Sequence, residues 1–224
     1  VGLPDPLHWA QAKVYAFLYS LKKQTEIFDI RLTYLELNSN QLTEHTQTFT
    51  LAAIEAFFLH VSGVYVDWIT EQVRWWQVRD ESIGVLKFPH SPFRPGQEAL
   101  IAETRRTHGN GETLLVEAPT GIGKTLSVLY PSIEAVKDGH LEKIFYLTAK
   151  TVGKHAAENS LQDMRKHGLR LRSISLTARD KMCFNDGKPC DIRTCSYANG
   201  YLDRVREALQ KLLREQAITG VVIE

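Results

Sequence analysis

The segment Glu117-Ala118-Pro119-Thr120-Gly121-Ile122-Gly123-Lys124-Thr125 constrains the fold more than any other feature of the chain. A short apolar run, Thr113–Glu117, leads into it, and a helical pattern from Lys124 to about Lys137 leaves it. Strand, glycine-rich loop and helix in that order are the context a phosphate-binding loop requires. Glycine lets the backbone wrap close to an anion because no Cβ intervenes. The loop N–H groups and the positive end of the helix then face that anion. In this reading Pro119, Thr120, Gly121, Ile122 and Gly123 line the phosphates, Lys124 reaches the β and γ phosphates, and Thr125 holds Mg²⁺. The expected cofactors are therefore ATP and Mg²⁺. The general pattern G-x-x-x-x-G-K-[ST] puts glycine at position 118, where this chain has Ala118.

The pattern around this loop is α/β. After it, Lys143–Leu147 is a second apolar strand, Val152–Lys166 a helix and Leu171–Leu176 a third strand. Strands alternating with helices predict a parallel sheet. Before it, Pro89, Pro92 and Pro95 crowd into Lys87–Gly96 and exclude a helix or central strand there. That stretch is read as a linker and domain boundary, with a helix at Gln97–Arg106 beyond it. Further upstream, Ala10, Val14, Phe17, Leu18 and Leu21 share one face of a helix over Leu7–Leu21. Phe28–Tyr34 alternates as a half-buried strand, Asn38-Ser39-Asn40 is a turn, and Thr46–Phe49 completes a hairpin. Thr50 is placed to cap a helix that starts at Leu51, breaks at Gly63 and runs to about Arg79. Trp68, Trp75 and Trp76 in that stretch are read as core residues of a helical connector.

Charge and cysteine placement narrow the function classes. The net charge is +1, yet Lys137–Arg214 holds 16 basic against 9 acidic residues, and the remainder 11 against 17. A basic C-terminal third suits a polyanion. All three cysteines fall at Cys183, Cys190 and Cys195. Thiols clustered in an otherwise cysteine-free chain suit a metal in a reducing compartment better than a disulfide framework. Four thiolates are the usual support of a [4Fe–4S] cluster, whereas structural zinc prefers closer cysteine pairs. No window approaches 18 uncharged apolar residues, which predicts no membrane span and no membrane partner. With no export signal at Val1, the expected location is cytoplasmic. The chain opens on Val1 and closes on Val221-Val222-Ile223-Glu224, and is read as a piece of a longer protein.

Several of these segments carry a family resemblance. Ala118-Pro-Thr-Gly-x-Gly-Lys-Thr125 resembles the first motif of superfamily 2 helicases, where alanine at the first position is usual. Phe93-Arg94-Pro95-Gly96-Gln97 resembles the adenine-reading Q motif of that group, which implies that Arg94 and Gln97 contact ATP. Tyr146-Leu147-Thr148-Ala149-Lys150-Thr151 resembles the next motif, which implies that Thr148, Lys150 and Thr151 grip the backbone of single-stranded DNA. The sequence around Cys183, Cys190 and Cys195, ending Ser-Tyr-Ala-Asn-Gly-Tyr-Leu-Asp-Arg, closely resembles the iron–sulfur insertion of DinG/XPD-like (Rad3-related) helicases. That resemblance implies a [4Fe–4S] cluster whose fourth ligand lies beyond Glu224. Near the start, Gln11-Ala-Lys-Val-Tyr15, preceded by His8-Trp9, looks like the Q-x-x-x-Y segment closing a RecB/Cas4-like PD-(D/E)XK nuclease domain.

The fold these resemblances imply is an incomplete RecA-like P-loop parallel sheet with an inserted Fe–S region, preceded by a small α+β nuclease-like piece. The expected divisions are 1–60 nuclease-like, 61–87 helical connector, 88–178 the first part of the RecA-like domain, and 179–224 the start of the Fe–S insertion. The implied function is an ATP-dependent DNA helicase acting on single-stranded DNA and duplex junctions. Two other readings stay open at this level. One is a P-loop ATP-binding module with a zinc-stabilised insertion that acts as switch or scaffold. The other is a nuclease regulated by its ATPase.

Overall fold

The computed structural model describes residues 3–178, 183–185, 190–213, 215, 217 and 218. It is a mixed helical and sheet structure in two compact units, Val1–Arg74 and Trp75–Glu224.

In the first unit, helix α1 spans Pro6–Ser20. Asp5 takes the cap position, its Oδ1 accepting from the Leu7 N–H at 2.8 Å, and Pro6 fills a position whose N–H would have no helical partner. Strands β1 (Ile27–Leu35) and β2 (Leu42–Thr50) form an antiparallel hairpin, in register from Ile27 opposite Thr50 to Leu35 opposite Leu42. The alternation of β1 buries Phe28 and Ile30 on one face. Trp9, Ile54 and these two residues make the core, with Ala12, Ala16, Phe17, Leu32 and Phe49 packed against it.

Helix α2 (Leu51–Gly84) begins directly after β2, and the Thr50 Oγ1 accepts from the Ala53 N–H at 3.3 Å as a cap should. It passes through Gly63 unbroken, contrary to the sequence expectation. An isolated glycine costs a helix only about 1 kcal/mol, which the turns on either side outweigh. By length and composition α2 is also apolar enough to cross a bilayer. Glu55 and Asp67 interrupt its apolar stretch, so no uncharged run of 18 residues occurs in it. Trp68 and Trp76 are half exposed, against the expectation that these aromatics sit in a core.

The second unit is built on helix α4 (Lys124–Lys137). Leu126, Leu129, Tyr130 and Ile133 recur at helical spacing and form one buried face. Ile83, Leu86, Ala157, Met164 and Leu169 complete this core. Helix α3 (Gln97–Asn110) packs on α4, and Arg105 forks onto Glu134 through Nε–Oε2 at 2.7 Å and Nη2–Oε1 at 3.0 Å. That bond raises the Arg105 pKa above its ordinary value. Helix α5 (Thr151–Lys166) contributes Ala157 and Met164. The proline-rich stretch Lys87–Gly96 lies inside this unit, where the Phe88 ring meets Phe93 and Tyr130 at centroid distances of 5.1 and 5.4 Å. Helix α6 (Tyr201–Leu212) follows the cysteine segment.

The parallel sheet expected from the sequence is reduced to one short pair. Strand β3 (Ser173–Ile174) runs parallel to β4 (Ala217–Ile218). Thr113–Glu117 and Lys143–Leu147 belong to no ladder among the described residues. A strand exists only when a neighbour takes up its N–H and C=O groups. Leu115, Phe145 and Leu147 are correspondingly left 95, 79 and 88% exposed. The mixed α/β class holds, and a RecA-like parallel sheet is not formed among the described residues.

Candidate functional site

The candidate phosphate loop is shaped by two glycines. Gly121 and Gly123 have φ of 84° and 82°, a left-handed backbone that side-chain-bearing residues rarely adopt. The second turn makes Gly123 the cap of α4, so the helix starts at Lys124 and its N-terminal dipole faces the loop. Lys124 folds back over the loop, its Nζ donating to the carbonyls of Ala118 at 2.9 Å and Pro119 at 2.8 Å. A phosphate oxygen seated in the loop offers the same ammonium a charged acceptor, and charge-assisted bonds are about twice as strong as neutral ones. The Thr125 Oγ1 lies 3.4 Å from the Tyr146 hydroxyl. Sequence reasoning did not single out Tyr146, since only the folded chain brings it to Thr125.

Arg94–Gln97 meets the loop at three successive points. An Arg94 guanidinium N–H donates to the Gly121 carbonyl. A Cβ on Gly96 would stand 3.0 Å from the Ile122 Cδ1, and a Cβ on Gly123 would stand 2.8 Å from the Gln97 Nε2. Gln97 is 2% exposed, and its Oε1 accepts from the Arg94 N–H at 3.0 Å. Two segments that the sequence connects only through a family resemblance are thus in direct contact. Pro119, Thr120 and Gly121 are exposed on the rim, and Ile122 is half-buried under it.

Thr148, Lys150 and Thr151 are all exposed at the start of α5. Lys150 is the cap residue of that helix. The Thr148 hydroxyl closes a small turn, donating to the Lys150 carbonyl at 3.2 Å and lying 3.4 Å from its N–H. The same hydroxyl explains Gly153, where a Cβ would come within 2.1 Å of it. Lys154, in contrast, is turned to the Thr177 Oγ1 at 3.2 Å.

Of the cysteines, Cys195 is buried and Cys183 and Cys190 are exposed. The Asn185 Nδ2 donates to the Cys195 Sγ at 3.2 Å. Arg204 on α6 donates to the carbonyls of Asn199 at 2.7 Å and Tyr197 at 2.8 Å, tying down the turn after Cys195. Three thiols are soft donors that suit iron–sulfur chemistry or zinc and not hard cations. Among the described residues, no three donors of His, Cys, Asp or Glu are gathered into one group. In the first unit, the Gln11 Nε2 donates to the Tyr15 hydroxyl at 2.9 Å, as two residues four apart on one helix face can.

No known family model, characterised protein or solved structure matches this chain.

The two loop glycines differ in a way that can be measured. Alanine at Gly121 meets open space, so Gly121→Ala carries only the left-handed backbone penalty, roughly 1–2 kcal/mol. Gly123→Ala carries that penalty and also pushes on the buried Gln97 amide. In urea denaturation Gly123→Ala should therefore lose more stability than Gly121→Ala. Equal losses would contradict the contact between Gln97 and the loop.

Proposed function

We propose that this chain contains the nucleotide-binding part of an ATP-dependent DNA helicase of the DinG/XPD-like group. The observation that carries the reading is the phosphate loop itself. Two left-handed glycines, a helix that starts at the following lysine and a lysine folded over the loop carbonyls make a cradle for a polyphosphate. In it Lys124 binds the β and γ phosphates and Thr125 bears on Mg²⁺, with Pro119 to Gly123 supplying backbone N–H groups. Hydrolysis in the intact enzyme would drive movement along single-stranded DNA and the opening of duplex junctions.

DNA contact is assigned to Thr148, Lys150 and Thr151, supported by their exposure at one helix start within the basic third of the chain. Hydroxyls and an ammonium of this kind bind phosphate and carry little sequence preference. Cys183, Cys190 and Cys195 would hold a [4Fe–4S] cluster together with a further ligand, and the cluster would supply a rigid thiolate-bound node in the insertion. Gln11 and Tyr15 are assigned to a nuclease-like fold that precedes the motor.

Lys124→Ala should weaken Mg·ATP binding by this chain about tenfold to a hundredfold, as expected for losing a charge-assisted bond. Titration calorimetry on the two proteins reads this directly, and unchanged affinity would refute the assignment. For the cysteines, the intact protein purified without oxygen should be brown, with about four irons bound. A colourless protein with stoichiometric zinc would replace the cluster by a structural metal.

A further inference from the structure

We propose that Gln97 is a positioning residue for the phosphate loop and does not read the adenine base. This rests on the reading of residues 117–125 as a nucleotide site, and it changes what recognises the nucleotide there.

A glutamine amide recognises adenine by presenting its donor and its acceptor together to the ligand. Gln97 does not present both freely. Its Oε1 is engaged by the Arg94 N–H at 3.0 Å, and the residue is 2% exposed. Its Nε2 lies where a side chain on residue 123 would begin, 2.8 Å from an ideal Cβ. The amide fills the space that the absent Cβ leaves beneath the left-handed turn.

Its neighbours act in the same sense. Arg94 holds the Gly121 carbonyl, and Gly96, itself left-handed at φ 79°, comes within a Cβ's reach of Ile122. Residues 94, 96 and 97 thus press on residues 121, 122 and 123 in order. A segment that touches three consecutive loop residues fixes the loop's backbone, and that backbone bears the N–H groups that meet phosphate. Pre-formed donors cost no reorganisation when the ligand arrives, which is how such a brace raises affinity. The gain belongs to the polyphosphate and is shared by every ligand that carries one, whatever its base.

Titration calorimetry on the full chain with Mg·ATP, Mg·GTP and inorganic tripolyphosphate separates the two roles. Gln97→Ala should weaken all three ligands by a common factor of about tenfold, with the ATP-to-GTP ratio unchanged. Gln97→Met fills the same space without an amide. It should weaken all three by a smaller common factor, and it serves as the test if the alanine variant does not fold. Unchanged tripolyphosphate binding, with loss confined to ATP, would overturn the proposal and return Gln97 to the base. Wild-type protein that binds none of the three ligands would overturn the phosphate-loop reading itself, and the proposal with it.

Discussion

The second unit depends on one backbone device, the pair of left-handed turns at Gly121 and Gly123. They decide where α4 begins, and α4 supplies the buried face on which the core of that unit is assembled. Because the turns are braced from residues 94–97, the start of α3 and the start of α4 are fixed together. The site and the core are therefore parts of one construction. A change at Gly123 therefore bears on stability and, in the proposed function, on phosphate binding at once. Lys124, at the first turn of the same helix, is placed by the same geometry.

The helices were legible because their signals are local. The apolar spacing of α4 and the cap at Thr50 are written in adjacent residues, and the structure puts these elements where the pattern does, whereas α1 forms as expected but leaves Leu18 and Leu21 of its expected apolar face exposed. The hairpin β1–β2 was legible for the same reason, since its alternation and turn lie in one stretch. The apolar runs at Thr113–Glu117 and Lys143–Leu147 show the limit. Their composition suits strands, but pairing is a property of two segments, and neither finds a partner among the described residues. Gly63 misled in the other direction, because one weak position does not end a helix whose other turns are strong.

The candidate site divides similarly. The residues from Pro119 to Thr125 were read from a contiguous motif, and they form the loop before α4 and the first residues of that helix. Gln97 was legible as an amide, but the sequence does not show that it is buried against Gly123. Gly153 escaped altogether, and Tyr146 entered only as part of the motif running to Thr151, with no contact to Thr125 foreseen. Tyr146 reaches Thr125 from 21 residues away, and at Gly153 the Thr148 hydroxyl stands where a Cβ would lie. The cysteines were legible as a cluster in sequence, whereas in space one is buried and two are exposed.

The central claim is that residues 94–97 and 117–125 form a single polyphosphate-responsive unit. Amide hydrogen exchange on the chain, with and without saturating Mg·ATP, tests it most directly. Binding should slow exchange in both segments together, and to the same extent across residues 121–125 and at Gln97. Protection confined to one segment, or exchange unchanged in both, would contradict the account.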